Sequence, residues 1–186
     1  TNSSFTGSDT TLSDLQRLVK EGVIRRYVVH ERGGIRFGIF GMLGKEAMIY
    51  TSGGATTFAD PTESAREAVK ILREKEKVDV VIALSHGGVV KGADGRYTDG
   101  EDVRLAKDVP GIDIVISGHS HTELNEATVV NGRTPVVQTG KESNNLGELV
   151  IALDGNKLTV TSYRLLPIDD SIAGDRAIAK EIEQLK

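Results

Sequence analysis

The histidines of this chain stand where apolar runs end. The 186 residues include four histidines and no cysteine. The tetrapeptide Gly118-His119-Ser120-His121 directly follows the apolar run Ile112–Ser117, and His86 follows a similar run, Val80–Ser85. Neutral imidazole is a common ligand of transition-metal ions. The pattern therefore predicts a metal site with His86, His119 and His121 as its candidate ligands.

The neighbouring residues leave several interpretations open. A single histidine can equally be a hydrogen-bonded structural residue, and His30 is expected to be a surface residue of a strand. An extended His-x-His segment would point both imidazoles the same way, whereas a tight turn could direct them at two neighbouring ions. Four acidic residues could orient imidazoles by accepting their ring N–H groups: Asp94, Asp99, Asp102 and Asp113. For Asp94 and Asp99 we favour turn and cap chemistry, and we expect Asp102 to start a helix.

The composition excludes several classes of function. A net charge of −4 argues against binding to a nucleic-acid backbone, and an aromatic content of 4% without tryptophan argues against base stacking. No apolar stretch approaches the roughly 20 residues of a membrane span. Because the chain has no cysteine, a metal ion would be held by imidazole, carboxylate, amide or water ligands.

The patterns around the histidines predict an α/β fold. A parallel pair of buried strands with a helical crossover would bring their carboxyl ends, and so the histidines, to one edge of a sheet. The predicted elements before this edge are a helix over Thr11–Gly22, a hairpin of Arg26–Glu31 and Ile35–Met42, and a helix that begins at Asp60-Pro61. The elements that form it are a strand over Val78–Leu84, a helix over Glu101–Val109 and a strand over Ile112–Ser117.

The remainder of the chain has a different pattern. Short strands separated by Asn131-Gly132 and Asp154-Gly155-Asn156 predict an antiparallel meander after residue 125. These strands are expected over Ala127–Val130, Thr134–Thr139, Glu148–Leu153 and Leu158–Leu165. A helix over Asp175–Lys186 follows, and residues 1–10 are expected to be a loose segment.

Three ordered motifs resemble one protein family. They are Val81–His86, Gly111–Thr122 and Pro135–Gly140, the last followed by Leu146-Gly147. Together they are similar to the calcineurin-like metallophosphoesterases, within which the nearest branch is the 5′-nucleotidase / UDP-sugar hydrolase / 2′,3′-cyclic-nucleotide phosphodiesterase branch. The resemblance covers most of residues 11–186.

The resemblance implies a fold and a chemistry. The fold would be the C-terminal half of a four-layer α/β/β/α sandwich, with a partial domain over 11–168 and a helix over 169–186 leading toward a further domain. His86 and His119 resemble ligands of one divalent ion, and His121 a ligand of a second. Two such ions, with Zn, Mn, Fe and Co not distinguished, would activate water to hydrolyse nucleotides or related phosphoesters.

Other motifs of the family have no counterpart in this chain. These are an Asp-x-His, a Gly-Asp for the bridging carboxylate, and a Gly-Asn-His-Glu/Asp with the catalytic histidine; near Asn2, where the last would end, no histidine follows. No catalytic residue is therefore assigned. The chain is expected to be part of a hydrolase with little or no activity by itself.

Two alternatives and two further expectations complete the interpretation. The chain could instead be a non-catalytic binding or dimerisation module derived from this fold, or a small metal-binding domain. A half-sandwich would leave an apolar sheet face open, so a homodimer through that face is expected. The resemblance also implies a periplasmic, extracellular or cell-surface location.

Overall fold

The fold is built around a six-stranded mixed sheet. A computed structural model describes residues 1–5, 10–51, 56–155 and 157–185 of the chain. The strands are β1 (Ser3–Phe5), β2 (Tyr27–Arg32), β3 (Ile35–Leu43), β4 (Thr56–Phe58), β5 (Val80–His86), β6 (Ile114–Ser117), β7 (Thr128–Val130), β8 (Thr134–Val137), β9 (Asn145–Asp154) and β10 (Lys157–Pro167). The helices are α1 (Thr10–Lys20), α2 (Lys45–Ile49), α3 (Pro61–Lys70), α4 (Glu101–Asp108) and α5 (Arg176–Gln184), and a π-helical stretch over Ile71–Lys75 extends α3.

The central part of the main sheet is parallel. The strand order is β2-β3-β5-β6-β8-β7, with β3, β5, β6 and β8 parallel to one another. The first two strands form the predicted antiparallel hairpin. The α/β fold class with a mixed sheet is therefore confirmed, and so is the parallel pairing of β5 with β6.

Local signals placed the start of helix α3 well. Asp60 caps α3 by accepting hydrogen bonds from the backbone N–H groups of Thr62 and Glu63, and Pro61 occupies the first turn. A side-chain acceptor at this position satisfies donors that the helix itself leaves unpaired. The fixed start of α3 sets which of its residues face the sheet.

The two faces of the main sheet differ in burial. One face packs under α3 and α4 and carries a row across four strands, Phe40, Ala83, Val115 and Val136, none more than 2% exposed. On the opposite face, Leu84 and Ile116 lie side by side and are 46% and 43% exposed. Val28 of β2 is exposed on the same face. We call Val28, Leu84 and Ile116 the open face.

The strands after residue 125 do not form one meander. The hairpins β7–β8 and β9–β10 are each antiparallel, as expected, but they lie in different sheets. Strand β8 pairs in parallel with β6, so it belongs to the main sheet. The hairpin signals at each turn are local, and they carry no information about which distant strand β8 meets.

The first residues are more ordered than expected. Ser3–Phe5 form β1 and pair antiparallel with β4, whereas residues 6–9 of the segment expected to be loose lie outside the described residues. Asn2 is 4% exposed; its side-chain amide donates to the carbonyls of Leu43 and Ala59, and its side-chain oxygen accepts from Leu43 N–H. The polar atoms of Asn2 are thus used inside the fold.

Candidate metal site

Two of the candidate ligands meet at the carboxyl edge of the main sheet. His86 is the last residue of β5, and Ser85 lies opposite Ser117, the last residue of the neighbouring parallel strand β6. The imidazole rings of His86 and His119 have centroids 5.0 Å apart and are inclined at 64°. Parallel strands bring their carboxyl ends to one edge, which is why residues so distant in sequence are neighbours here.

Glycine makes this approach possible. A Cβ atom at Gly118 would lie 3.0 Å from Nδ1 of His86, tighter than ordinary van der Waals contact. Any side chain at residue 118 would therefore push against the imidazole of His86. The glycine that precedes His119 is best explained by the space that the other histidine needs.

The His-x-His segment is a turn. His119 and His121 have φ values of 75° and 54°, in the left-handed region that residues other than glycine seldom occupy. This decides between the two arrangements that the sequence left open, because the segment is not the extended strand that would point both imidazoles the same way. The exposed His121 is near enough for its charge to lower the pKa of His86.

The surroundings of His86 favour the neutral form of its ring. Desolvation lowers the pKa of His86 below its ordinary value, the charges of His119 and then His121 lower it further, and Asp102 opposes them. A histidine must be neutral to bind a metal ion. The lowered pKa therefore leaves the ring of His86 able to act as a ligand at pH 7 and somewhat below.

Short helix α2 borders the same edge. Glu46 Oε2 lies 4.0 Å from Nε2 of His119, and the ring of Tyr50 lies 6.4 Å from that imidazole. The carboxylate of Glu101 holds the start of α2 by accepting from the backbone N–H groups of Lys45 and Glu46, at 2.6 and 2.8 Å. Sequence reasoning missed Glu46 and Tyr50, because nothing in the spacing of α2 points to histidines far along the chain.

The four acidic candidates fall into different roles. Asp94 accepts from Arg96 N–H, and Asp99 accepts from Gly100 N–H and Arg104, which is the turn chemistry that we favoured. Asp113 lies at the other end of the strands and pairs with Arg73. Asp102 is the second residue of α4, as expected of a helix start, and its carboxylate also reaches the turn after His86.

The described residues do not enclose a metal ion by themselves. In that part of the chain, no three histidine, aspartate or glutamate side chains are grouped closely enough to hold one. His30 lies on β2, where it is exposed and faces Phe37 across the hairpin. The pair of His86 and His119 is therefore chemically suited to part of a ligand set, and further ligands are needed to complete it.

Comparison with known proteins decides the family. The model of the calcineurin-like phosphoesterases matches residues 10–123, more than half of the chain. The chain belongs to the calcineurin-like phosphoesterase family. The match covers His86, His119 and His121, and it confirms that the chain comes from a family of phosphoester hydrolases.

Relatives with nucleotide chemistry in their names support this. The trifunctional nucleotide phosphoesterase YfkN of Bacillus subtilis is 32% identical over 173 residues, 90% of this chain. A 2′,3′-cyclic-nucleotide 2′-phosphodiesterase/3′-nucleotidase of Salmonella typhimurium is 29% identical over 170 residues, 81% of this chain. A crystal structure of a 5′-nucleotidase precursor from Thermus thermophilus matches with a TM-score of 0.71 and 25% identity, covering 99% of this chain.

The chain spans only a fraction of each of these proteins. It covers 11% of the Bacillus protein, 26% of the Salmonella protein and 36% of the Thermus chain. The similarity therefore extends along nearly all of this chain and along a minor part of its relatives. None of the described helices is long and apolar enough to cross a membrane.

Proposed function

We propose that this chain supplies one side of a two-metal centre in a phosphoester hydrolase that acts on nucleotides or related phosphoesters. The observation that carries the proposal is the pair of imidazole rings, His86 and His119, 5.0 Å apart at the carboxyl ends of adjacent parallel strands. His86 and His119 would bind one divalent ion, and His121 the other. When bound, such ions polarise phosphoryl oxygens and lower the pKa of a bound water.

The residues of the chain have distinct tasks in this proposal. Desolvation lowers the pKa of His86 and so favours the neutral ring that can bind an ion, and Gly118 leaves room for that ring. The turn at residues 119–121 would let His119 and His121 face different ions, whereas an extended strand would point both imidazoles the same way. Glu46 stands 4.0 Å from His119, too far for a hydrogen bond to the ring but near enough for its carboxylate to attract a cation.

Metal binding tests the ligand assignment. Titration of the purified chain with Mn²⁺, Zn²⁺ or Co²⁺ in a calorimeter should show binding that His86→Asn and His119→Asn each weaken by at least tenfold. His30→Asn is the matched control, since it removes an exposed imidazole on β2. Equal weakening by the control, or undiminished binding in both site variants, contradicts the assignment.

The isolated chain should hydrolyse little or no substrate. The described residues hold no group of three ligands, and two ions bound by imidazoles alone would be held weakly. We expect no turnover of AMP or bis(p-nitrophenyl) phosphate above background, with or without added Mn²⁺. Turnover by the pure chain that a chelator abolishes would refute this expectation.

The open face favours a second property, self-association. Leu84 and Ile116 place adjoining apolar side chains on a sheet face where half their surface meets solvent. We propose that two copies of the chain pair through this face, which fits the alternative of a binding or dimerisation module. Sedimentation velocity should show a dimer that Leu84→Glu dissociates and that Val23→Glu, at an exposed valine away from the sheet, leaves intact. A monomer at all concentrations would exclude it.

The location is proposed on the resemblance alone. A periplasmic, extracellular or cell-surface site would suit a hydrolase of this branch. Fractionation of the source cells with an antibody to this chain, which should detect it outside the cytoplasm, tests the assignment. Recovery of the chain only from the cytoplasmic fraction would contradict it.

A further inference from the structure

Four polar side chains connect the turn that follows His86 to the turn that contains His119 and His121. They come from three parts of the chain: Asp102 from α4, Ser117 and Ser120 from the end of β6 and its turn, and Gln138 from the end of β8. Asp102 is hydrogen-bonded to Ser117, Ser117 to Gln138, and Gln138 to Ser120. We call Asp102, Ser117, Gln138 and Ser120 the inter-turn network.

Asp102 holds the turn that follows His86. Asp102 is 1% exposed, and its carboxylate accepts from the backbone N–H groups of Gly87 and Gly88, at 3.3 and 2.9 Å. A Cβ atom at Gly87 would lie 2.5 Å from the carboxylate, so the backbone can come this close only without a side chain. The same carboxylate accepts from the hydroxyl of Ser117 at 2.5 Å. One buried group therefore ties the end of β5 to the end of β6.

Gln138 holds the turn that contains the other two histidines. It is 2% exposed, and one orientation of its amide satisfies both ends. In that orientation its oxygen accepts from the backbone N–H groups of His121 and Thr122, at 3.1 and 3.0 Å. Its nitrogen donates to the hydroxyls of Ser117 and Ser120, at 3.2 and 3.0 Å. The amide thus supports the backbone where φ is left-handed.

Ser120 closes the chain of contacts. Its hydroxyl accepts from Val89 N–H at 3.0 Å and donates to Val89 carbonyl at 2.9 Å. Thr122 donates to the same carbonyl at 2.7 Å. Val89 directly follows the Gly87-Gly88 turn. The segment after His86 is therefore hydrogen-bonded to the segment around His119 twice, through Asp102 and through Val89.

A fully paired buried network fixes geometry. No buried side-chain nitrogen or oxygen among the described residues lacks a partner, and such networks are rigid because any movement would leave a buried polar group unpaired. Left-handed φ values at residues with side chains persist only where the surroundings over-determine them. Gln138, which bonds to the backbone of His121 and Thr122, and Ser120, which bonds to Val89, hold the turn in this conformation.

We propose that the inter-turn network is a positioning device that sets the separation and orientation of His86 relative to His119. Asp102 and Gln138 are its positioning residues; neither is proposed to touch a metal ion or substrate. The geometric part stands on the contacts above. Its consequence for metal affinity rests on the proposed function.

The metal-free protein tests the geometric part. In the whole chain labelled with ¹³C-histidine, ring protons of His86 and His119 should give a nuclear Overhauser effect that Asp102→Asn and Gln138→Met greatly reduce. Asp113→Asn is the matched control, because Asp113 is a second largely buried carboxylate that bonds to the opposite end of the sheet. It should destabilise the protein while leaving the Overhauser effect intact. If either network variant fails to fold, Ser117→Ala, which removes one hydroxyl, should show a partial loss.

Calorimetric titration with Mn²⁺ tests the consequence. Affinity should fall about 10–100-fold in the network variants, the usual effect of losing a group that orients a ligand, and stay unchanged in Asp113→Asn. Folded network variants with an undiminished Overhauser effect would overturn the inference. A wild-type chain that shows the Overhauser effect but binds no Mn²⁺ would refute the proposed function and leave the positioning role standing.

Discussion

Two carboxylates hold opposite ends of the same strands, and their partners differ. At the amino end, Asp113 pairs with the guanidinium of Arg73 and accepts from Val81 N–H at 2.7 Å. At the carboxyl end, Asp102 accepts only from neutral donors in the described part of the chain: two backbone N–H groups and two serine hydroxyls. One end has an ion pair, the other a buried carboxylate without a cation.

The two ends of the strands are thus ordered in different ways, one by an ion pair and the other by neutral hydrogen-bond donors. Arg73 also donates to the carbonyls of Val78, Asp79 and Gly111. The amino end is therefore held both by an ion pair and by hydrogen bonds to the backbone. At the carboxyl end, burial raises the pKa of Asp102 and its hydrogen bonds oppose that shift. The uncompensated negative charge lies beside His86, where it would favour a cation. The end of the sheet that the ion pair stabilises is therefore not the end that carries the candidate metal ligands.

Removing the cation of the amino end should have the largest effect on stability. Arg73→Met leaves Asp113 largely buried without its partner, and we expect the free energy of unfolding to fall by about 3 kcal/mol. Urea unfolding followed by circular dichroism measures this. A loss below that of Asp102→Asn would reverse the ranking of the two ends.

Asp102→Asn should cost less and depend on pH differently. At pH 7 we expect a loss of about 1–3 kcal/mol, because the new amide cannot accept from all the donors around it. Burial raises the pKa of Asp102 in the fold, so the folded state binds its proton more tightly than the unfolded state does. This proton therefore adds to the free energy of unfolding of the wild type at low pH, and the contribution is lost as pH rises. The gap between wild type and Asp102→Asn should therefore widen between neutral pH and 3.8, the ordinary carboxyl pKa.

Urea titrations at several pH values from neutral down to about the ordinary carboxyl pKa would measure that gap. The strand β4 takes no part in either carboxylate's contacts, so Thr57→Val on its exposed side serves as a control for general acid effects. A gap that narrows toward acid pH would contradict the environment assigned to Asp102.

Crowding the carboxyl end should affect metal binding more than stability. Gly118→Ala places a Cβ atom 3.0 Å from Nδ1 of His86 and displaces that ring. We expect Mn²⁺ affinity to fall about tenfold and the unfolding free energy to change by about 1 kcal/mol or less. Gly174→Ala is a suitable control, because a Cβ atom there would meet nothing within 4 Å. Equal Mn²⁺ affinity in both variants would show that the close approach is incidental.

The smallest expected effect is on the pKa of His86, which the neighbouring imidazole of His119 influences. Desolvation lowers the pKa of His86, and the charge of His119 is the next cause. In His119→Asn the pKa of His86 should rise toward its ordinary value of 6.5, as measured by NMR titration of its ring protons. A fall in the pKa, or no change, would mean that the imidazoles do not interact as their spacing implies.

Local patterns predicted much of this fold. Asp60-Pro61 marked the start of α3, and the apolar run before His86 marked β5, because caps and buried strands have signals within a few residues. The parallel pairing of β8 with β6 and the pairing of Ser3–Phe5 with β4 had no such signal. Both depend on contacts between segments far apart in sequence.

The same limit applies to the candidate site. The neighbouring placement of His86 and His119 followed from glycine-rich turns after adjacent strands, whereas their role as ligands stays a prediction. Gln138 appeared in a motif without a role, because its partners lie in a turn many residues earlier. Asp102 looked like a helix start and is one, but its contacts with Gly87 and Gly88 appear only when the helix is placed against β5.

The left-handed backbone at His119 and His121 also determines how the imidazoles can be exchanged. Glycine occupies φ values of 75° and 54° more readily than other residues do. His119→Gly therefore removes the ring without adding backbone strain and leaves a gap of imidazole shape. Free imidazole added to such a variant could occupy that gap, so chemical rescue of metal binding is available at His119, whose side chain is only 18% exposed.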